Sequence, residues 1–394
     1  MKPLTRWVPC LLALAHCGVS SSADSGAGID AHATDVHPTD TGIATDSNLP
    51  DVPADVTAPG TTPMFVAQGY VGRTVISCDD GHTWVGDVSD DDSVRCFSNA
   101  MSDCDHNGAR AMGLAFGDGW FMASWGWGLP GSVRRSHDAV HWEHVVDGTT
   151  FAGLNYGAGR FVAFDNRPRV SMNDGMMFQT ASASIGFMGE IRGTGFGDGL
   201  FVAAGNSSAT QGDVMLSADG LAWHRPTTVP ALCGVSVSTD GVAFARGALL
   251  LAHDTGLVCR SIDNGLTWTT VMLSGTIEAS LMDTGTEFVT WGTSSGMRGR
   301  FHSPDGITWS FDATHTRAPD GTMSGGPALG PVARSASGTF VSVKSGWQVW
   351  YDQQVFYRST DGLTWDALPA GAFHGGHPIR FIRYGEAAHS GVCP

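Results

Sequence analysis

The chain of 394 residues carries 53 Gly, 42% hydrophobic and only 15% charged residues, which suits a turn-rich globular β protein rather than a collagenous or disordered one. Its formal net charge of −16 repels polyanions and argues against nucleic acid as a partner. No apolar run approaches the ~18 residues that a membrane-spanning helix needs.

Residues 1–23 read as an export signal: Lys2 and Arg6 give a basic start, an apolar stretch runs from Trp7 to Ala15, and small residues follow. Leu14-Ala15-His16-Cys17 resembles the lipobox of bacterial lipoproteins, with His16 where a smaller residue is usual. The resemblance implies lipidation of Cys17 and attachment to a membrane through the lipid alone, at the cell surface or in the periplasm. Ordinary cleavage near Ala23, giving a secreted protein, is the alternative. Residues 24–62 are rich in Asp, Thr, Ala and Pro and nearly devoid of large apolar groups, so they read as a disordered tether.

From residue 63 to 394 the chain is a repeat. Ser77-Cys78-Asp79-Asp80-Gly81-His82-Thr83-Trp84 recurs in variant form from Ser136, Ser171, Ser217, Ser261, Ser303 and Ser359, each copy ending in an aromatic. The copy from Ser136 lacks the Gly, and the copy from Ser171 ends in Phe178 rather than Trp. Asp accepts hydrogen bonds from nearby amides and Gly supplies positive φ, so each copy predicts a tight Ser/Asp turn between two strands. The terminal Trp then packs back across the sheet.

A second pattern alternates with the first. Gly113-Leu-Ala-Phe-Gly117-Asp118-Gly119, Gly153 to Gly159 and Gly193 to Gly199 align as strand, tight turn, strand, with weaker copies around Gly247, Gly285 and Gly338. Joined, the two patterns predict four antiparallel strands per unit and seven units, an all-β seven-bladed propeller. The first unit begins at Met64 without an innermost strand, and Ile379 to Gly385 is left over at the other end. Pairing of these two segments closes the ring.

The seven copies resemble the Asp-box (BNR) repeats of the sialidase superfamily, over residues 64 to 394. That resemblance implies a propeller. For its enzymes it implies an arginine triad, a Tyr nucleophile assisted by Glu, and an Asp acid/base. The expected Arg-Ile-Pro motif is missing: Arg73 is followed by Thr74, and Arg167-Pro168 and Arg225-Pro226 lack the intervening Ile. No catalytic residue is therefore carried over. The sequence reads as a non-catalytic, monomeric binding or scaffolding module for a glycan or protein, with a sialidase-like glycoside hydrolase or a membrane-complex assembly factor as alternatives.

Strand order puts the Ser/Asp turns and the Gly-Asp-Gly turns at one end and the long, varied links at the other, the usual place for binding. Trp125, Trp127, Trp347, Trp350 and Tyr351 fall in or beside two of those links and are the candidate ligand-binding residues, with packing between blades as the alternative. Asp103, Asp105 and Asn107 match the start of a calcium loop, but the twelfth position is Leu114, so the closing carboxylate is missing. Calcium is thus the one cofactor considered, with solvated loop acids the alternative. Six cysteines follow the tether, an even number that suits disulfides in an exported chain. Six cysteines allow 15 pairings and the sequence does not choose among them; the guess is Cys96 with Cys104, Cys233 with Cys259, and Cys78 with Cys393.

Overall fold

The computed structural model describes residues 60–69, 74–88, 110–126, 131–147, 151–165, 167–172, 175–181, 190–208, 211–234, 237–344, 355–369, 379–388 and 393. All of these belong to one compact unit, Val56–Pro394. They form seven sheets in ring order, a seven-bladed propeller. Blade two shows the expected pattern from the channel outward: Arg110–Gly117, Trp120–Gly126, Ser132–Ser136 and Glu143–Asp147.

The ring closes as expected. Ile379–Ala388 is the innermost strand of blade one and pairs antiparallel with Thr61–Gly69, in a register that sets Phe65 opposite Tyr384. Disulfide Cys78–Cys393 ties the two ends again across 315 residues of sequence. Cys233–Cys259 is also formed, while Cys96 and Cys104 lie outside the described residues.

Both sequence patterns have a packing reason. Asp118 and Gly119 have φ of 48° and 75°, so the turn between the first two strands is a two-residue hairpin that needs positive φ at both positions. The Gly that precedes this turn is a flat seat for the next blade. A Cβ on Gly117 would lie 2.2 Å from the Tyr156 ring, and one on Gly157 would lie 2.1 Å from Phe196. Gly385 seats Phe116 in the same way, so the leftover strand carries the seat that blade two requires.

In the Ser/Asp turns, Ser77 Oγ donates to Asp79 Oδ1 (2.9 Å) and accepts from the Gly81 amide (2.9 Å), while the Thr83 amide donates to Asp79 Oδ1 (2.8 Å). The closing Trp reaches back, as where Trp268 Nε1 donates to the Gly265 carbonyl at 2.9 Å. The turn also docks on its neighbour: arginines of one blade donate to the Asp carbonyl of the next blade's turn. The pairs are Arg160 to Asp219, Arg260 to Asp305, Arg300 to Asp361, and Arg358 to Asp80 across the closure seam.

These turns make the fold acid-sensitive. Asp219 and Asp305 are held below the usual carboxylate range chiefly by the amides of Ala222 and Thr308. At Asp79 and Asp361 burial pulls upward, but is outweighed by bonds from Thr83 and from the Thr364 and Leu363 amides. A folded pKa below the unfolded value of about 3.9 gives stability that is complete above that pH and lost as pH falls through the folded values. Thermal melts should therefore show no pH dependence from these carboxylates between about pH 5 and 8, where their stabilisation is complete, and a steep fall in Tm below about pH 4. An Asp305→Asn variant should show a shallower fall, and an identical slope would count against this assignment.

Three blades depart from four antiparallel strands. Blade four has three strands, its outer edge reduced to a bridge between Leu216 and His224. The innermost strand of blade six is split into Gly275–Ile277 and Met282–Asp283. Blade seven has six strands, because the link before it folds into a hairpin, His315–Arg317 with Met323–Gly325, that pairs in parallel with Thr364–Ala367. A bidentate Arg317–Asp366 pair fixes that addition.

Candidate functional site

The innermost strands of the blades line a central cavity of about 380 Å³. Its polar wall includes Asn155, Asp240, Ser280, Asp283, Arg334 and Arg383. Two irregular strands shape it. In blade five, Val237 pairs with His253 and Val242 with Leu251, so the four residues 238–241 stand opposite one. This bulge puts Asp240 at φ 60°, a left-handed conformation uncommon outside Gly. The break in blade six supports it, since the Leu281 amide donates to the Asp240 carbonyl at 3.0 Å.

The bulged Asp240 meets an arginine from three blades away around the ring. Arg383 of blade one donates through Nη2 to Asp240 Oδ1 (2.6 Å) and through Nη1 to Oδ2 (3.0 Å). This fork-to-fork pair is the strong form of a charge-assisted hydrogen bond, and it stands across the channel as a crossbar. Burial works against the charge on Arg383, yet the Asp240 carboxylate more than offsets it and holds the guanidinium above its ordinary pKa.

The remaining charges are engaged locally. Asp283 lies 3.0 Å from Arg246 and accepts from the Gly285 amide. Arg334 donates to the Thr284 carbonyl (3.3 Å) and lies over the Phe340 ring. Tyr384 is kept in its phenol form, first by burial and then by the charges of Glu386 and Asp80. Asn155 alone presents a buried amide nitrogen without a partner.

Trp125 is the one expected ligand-binding aromatic among the described residues, and it is 2% exposed. It packs with Ile76, Leu114 and Phe381 in the layer between blades one and two, which is the packing role rather than an exposed platform. Trp127, Trp347, Trp350, Tyr351, Asp103, Asp105, Asn107 and Cys17 lie outside the described residues. The sequence reading missed Asp240 and Arg383. The available signals were Asp240-Gly241 interrupting a β-prone run, and two cations, Arg380 and Arg383, in the otherwise apolar Ile379-to-Tyr384 segment.

No family model matches the sequence, and no curated protein matches it. Among solved structures, the chain is similar to a protein from Lactobacillus plantarum at 9% identity and a TM-score of 0.53, covering 83% of this chain and 100% of that one. It is also similar to YCF48 bound to D1 peptide (17% identity, TM-score 0.46, 65% of this chain and 82% of that one). YCF48 from Cyanidioschyzon merolae gives 14% identity and a TM-score of 0.46, over 73% of this chain and 94% of that one. At such identities the likeness is one of fold alone.

Proposed function

We propose that this chain is a non-catalytic binding module that engages a glycan or protein at the end of the ring opposite the Ser/Asp turns. The carrying observation is the crossbar: Arg383 and Asp240 satisfy each other across the lumen, so the most highly charged groups of the channel are already occupied. The turn end is stapled by its own Asp residues and by neighbouring arginines, whereas the links of most varied length and highest Trp content join the strands at the other end. A rigid scaffold with variable links at one end is the usual build of a recognition surface.

Paired Trp127→Ala and Trp350→Ala substitutions test this. Binding of the full chain to glycan and peptide arrays should be lost while the melting temperature stays within about 2 °C, as for a surface change of under ~0.5 kcal/mol. Unfolding of the variant would support a packing role. Hydrolysis of a fluorogenic sialoside by the full chain would replace the reading with the sialidase-like one. We further propose export and anchoring through Cys17. A Cys17→Ser variant that still fractionates with membranes would contradict the anchor.

A further inference from the structure

The residue before the closing aromatic varies among the Ser/Asp turns, with His141 in blade two and Ala222 in blade four. Where blades one, five, six and seven place Thr83, Thr267, Thr308 and Thr364, each donating its amide to the turn's Asp, blade three has Met177. The preceding residue is Met176, and Met172 occupies the position just after the turn's Ser. Three of the chain's 14 methionines thus fall within one hairpin. Met172 and Met177 are direct cross-strand partners, so their side chains share one face of the hairpin.

All three residues are open to solvent, with Met172 42% exposed and Met176 and Met177 each 58% exposed, as Ile262 and Leu266 are in the blade-five turn. They contribute little to the core. Below them, Gly175 leaves room for a fourth methionine: a Cβ there would lie 2.3 Å from Met122 Cε. Met122 itself is fully buried. A group of neutral, polarisable thioethers on one hairpin suits one class of ligand. Soft thioether sulfur selects soft cations such as Cu(I), and carries no proton that must first be removed.

We propose that Met172, Met176 and Met177 form a surface site for a soft monovalent d10 cation, Cu(I) or its redox-inert analogue Ag(I). The test uses the full chain with its free thiols alkylated and its methionine methyls isotopically labelled, titrated with Ag(I) and followed by NMR. One equivalent should shift the three methyl signals together, and Cu(I) should be retained against bathocuproine disulfonate. Binding should persist at about pH 5, where an imidazole of pKa about 6.5 is protonated and lost as a ligand. A Met172→Leu/Met176→Leu/Met177→Leu variant should lose the site. Met177→Thr, which introduces the residue of the turns in blades one, five, six and seven, should weaken affinity at least about tenfold. Equal uptake by either variant, loss of uptake on acidification, or no uptake by the unsubstituted chain would each overturn the proposal.

Discussion

Deleting residues 370–394 is expected to destroy cooperative unfolding of the ring. The deletion removes the innermost strand of blade one, and with it Ile379, Phe381 and Ile382 from the core and Cys393 from its disulfide. Burying such side chains contributes about 1.5–3 kcal/mol each, so three of them approach the 5–15 kcal/mol that separates a whole domain from its unfolded state. The loss does not stop at blade one, because Gly385 seats Phe116 of blade two. Circular dichroism melts should show a broad, early transition. Two further variants separate the strand from the disulfide. Cys78→Ser/Cys393→Ser keeps the pairing and should cost about 2–4 kcal/mol. A circular permutant that places residues 377–394 ahead of Thr61 through a flexible linker should recover cooperativity. A sharp melt of the deleted chain near that of the full chain would show that closure by this strand is not what holds the ring.

The second large effect concerns the crossbar. Asp240→Asn keeps a residue that tolerates the left-handed backbone but removes the charge facing Arg383. The guanidinium, with 28% of its side chain exposed, would then stand in the lumen without a counter-charge. The expected cost is about 2–3 kcal/mol, less than for a fully buried pair. Arg383→Met should cost a similar amount by stranding Asp240. The double variant should recover part of the loss, with a coupling energy of about 1–3 kcal/mol from chemical denaturation. Simple additivity of the two single costs would mean that the pair is not a cooperative strut. A gain of soluble ligand uptake in the double variant would show instead that the pair keeps the channel closed to small molecules.

Much of this molecule is local, and the local part was readable. The six Ser/Asp turns whose bonds are described complete them within about seven residues, so seven turns gave seven blades, and a missing first strand matched a surplus last one. Two of the three guessed disulfide pairings are formed, though an even count of cysteines does not by itself fix the connectivity. What stayed hidden is non-local or irregular. Asp240 and Arg383 lie 143 residues apart in sequence, and neither belongs to a repeat. The bulge at 238–241 and the break at 278–281 fall in the blades with the weakest Gly pattern, where sequence periodicity had least to say. The added hairpin of blade seven rests on Arg317 and Asp366, which are 49 residues apart. Trp125 looked like a loop aromatic because it adjoins Gly126-Trp127, yet its strand ends only at Gly126 and carries it into the core.

Arginine contacts to neighbouring turns bracket the closure of the ring. Among the described residues they run without a gap from blade five through six and seven into blade one, so they flank the seam where the chain's ends meet. The opposite arc contains the three-stranded blade. Amide exchange should accordingly begin on that far arc, sparing the joint: the circle is fortified at its stitched side and gives way from its middle.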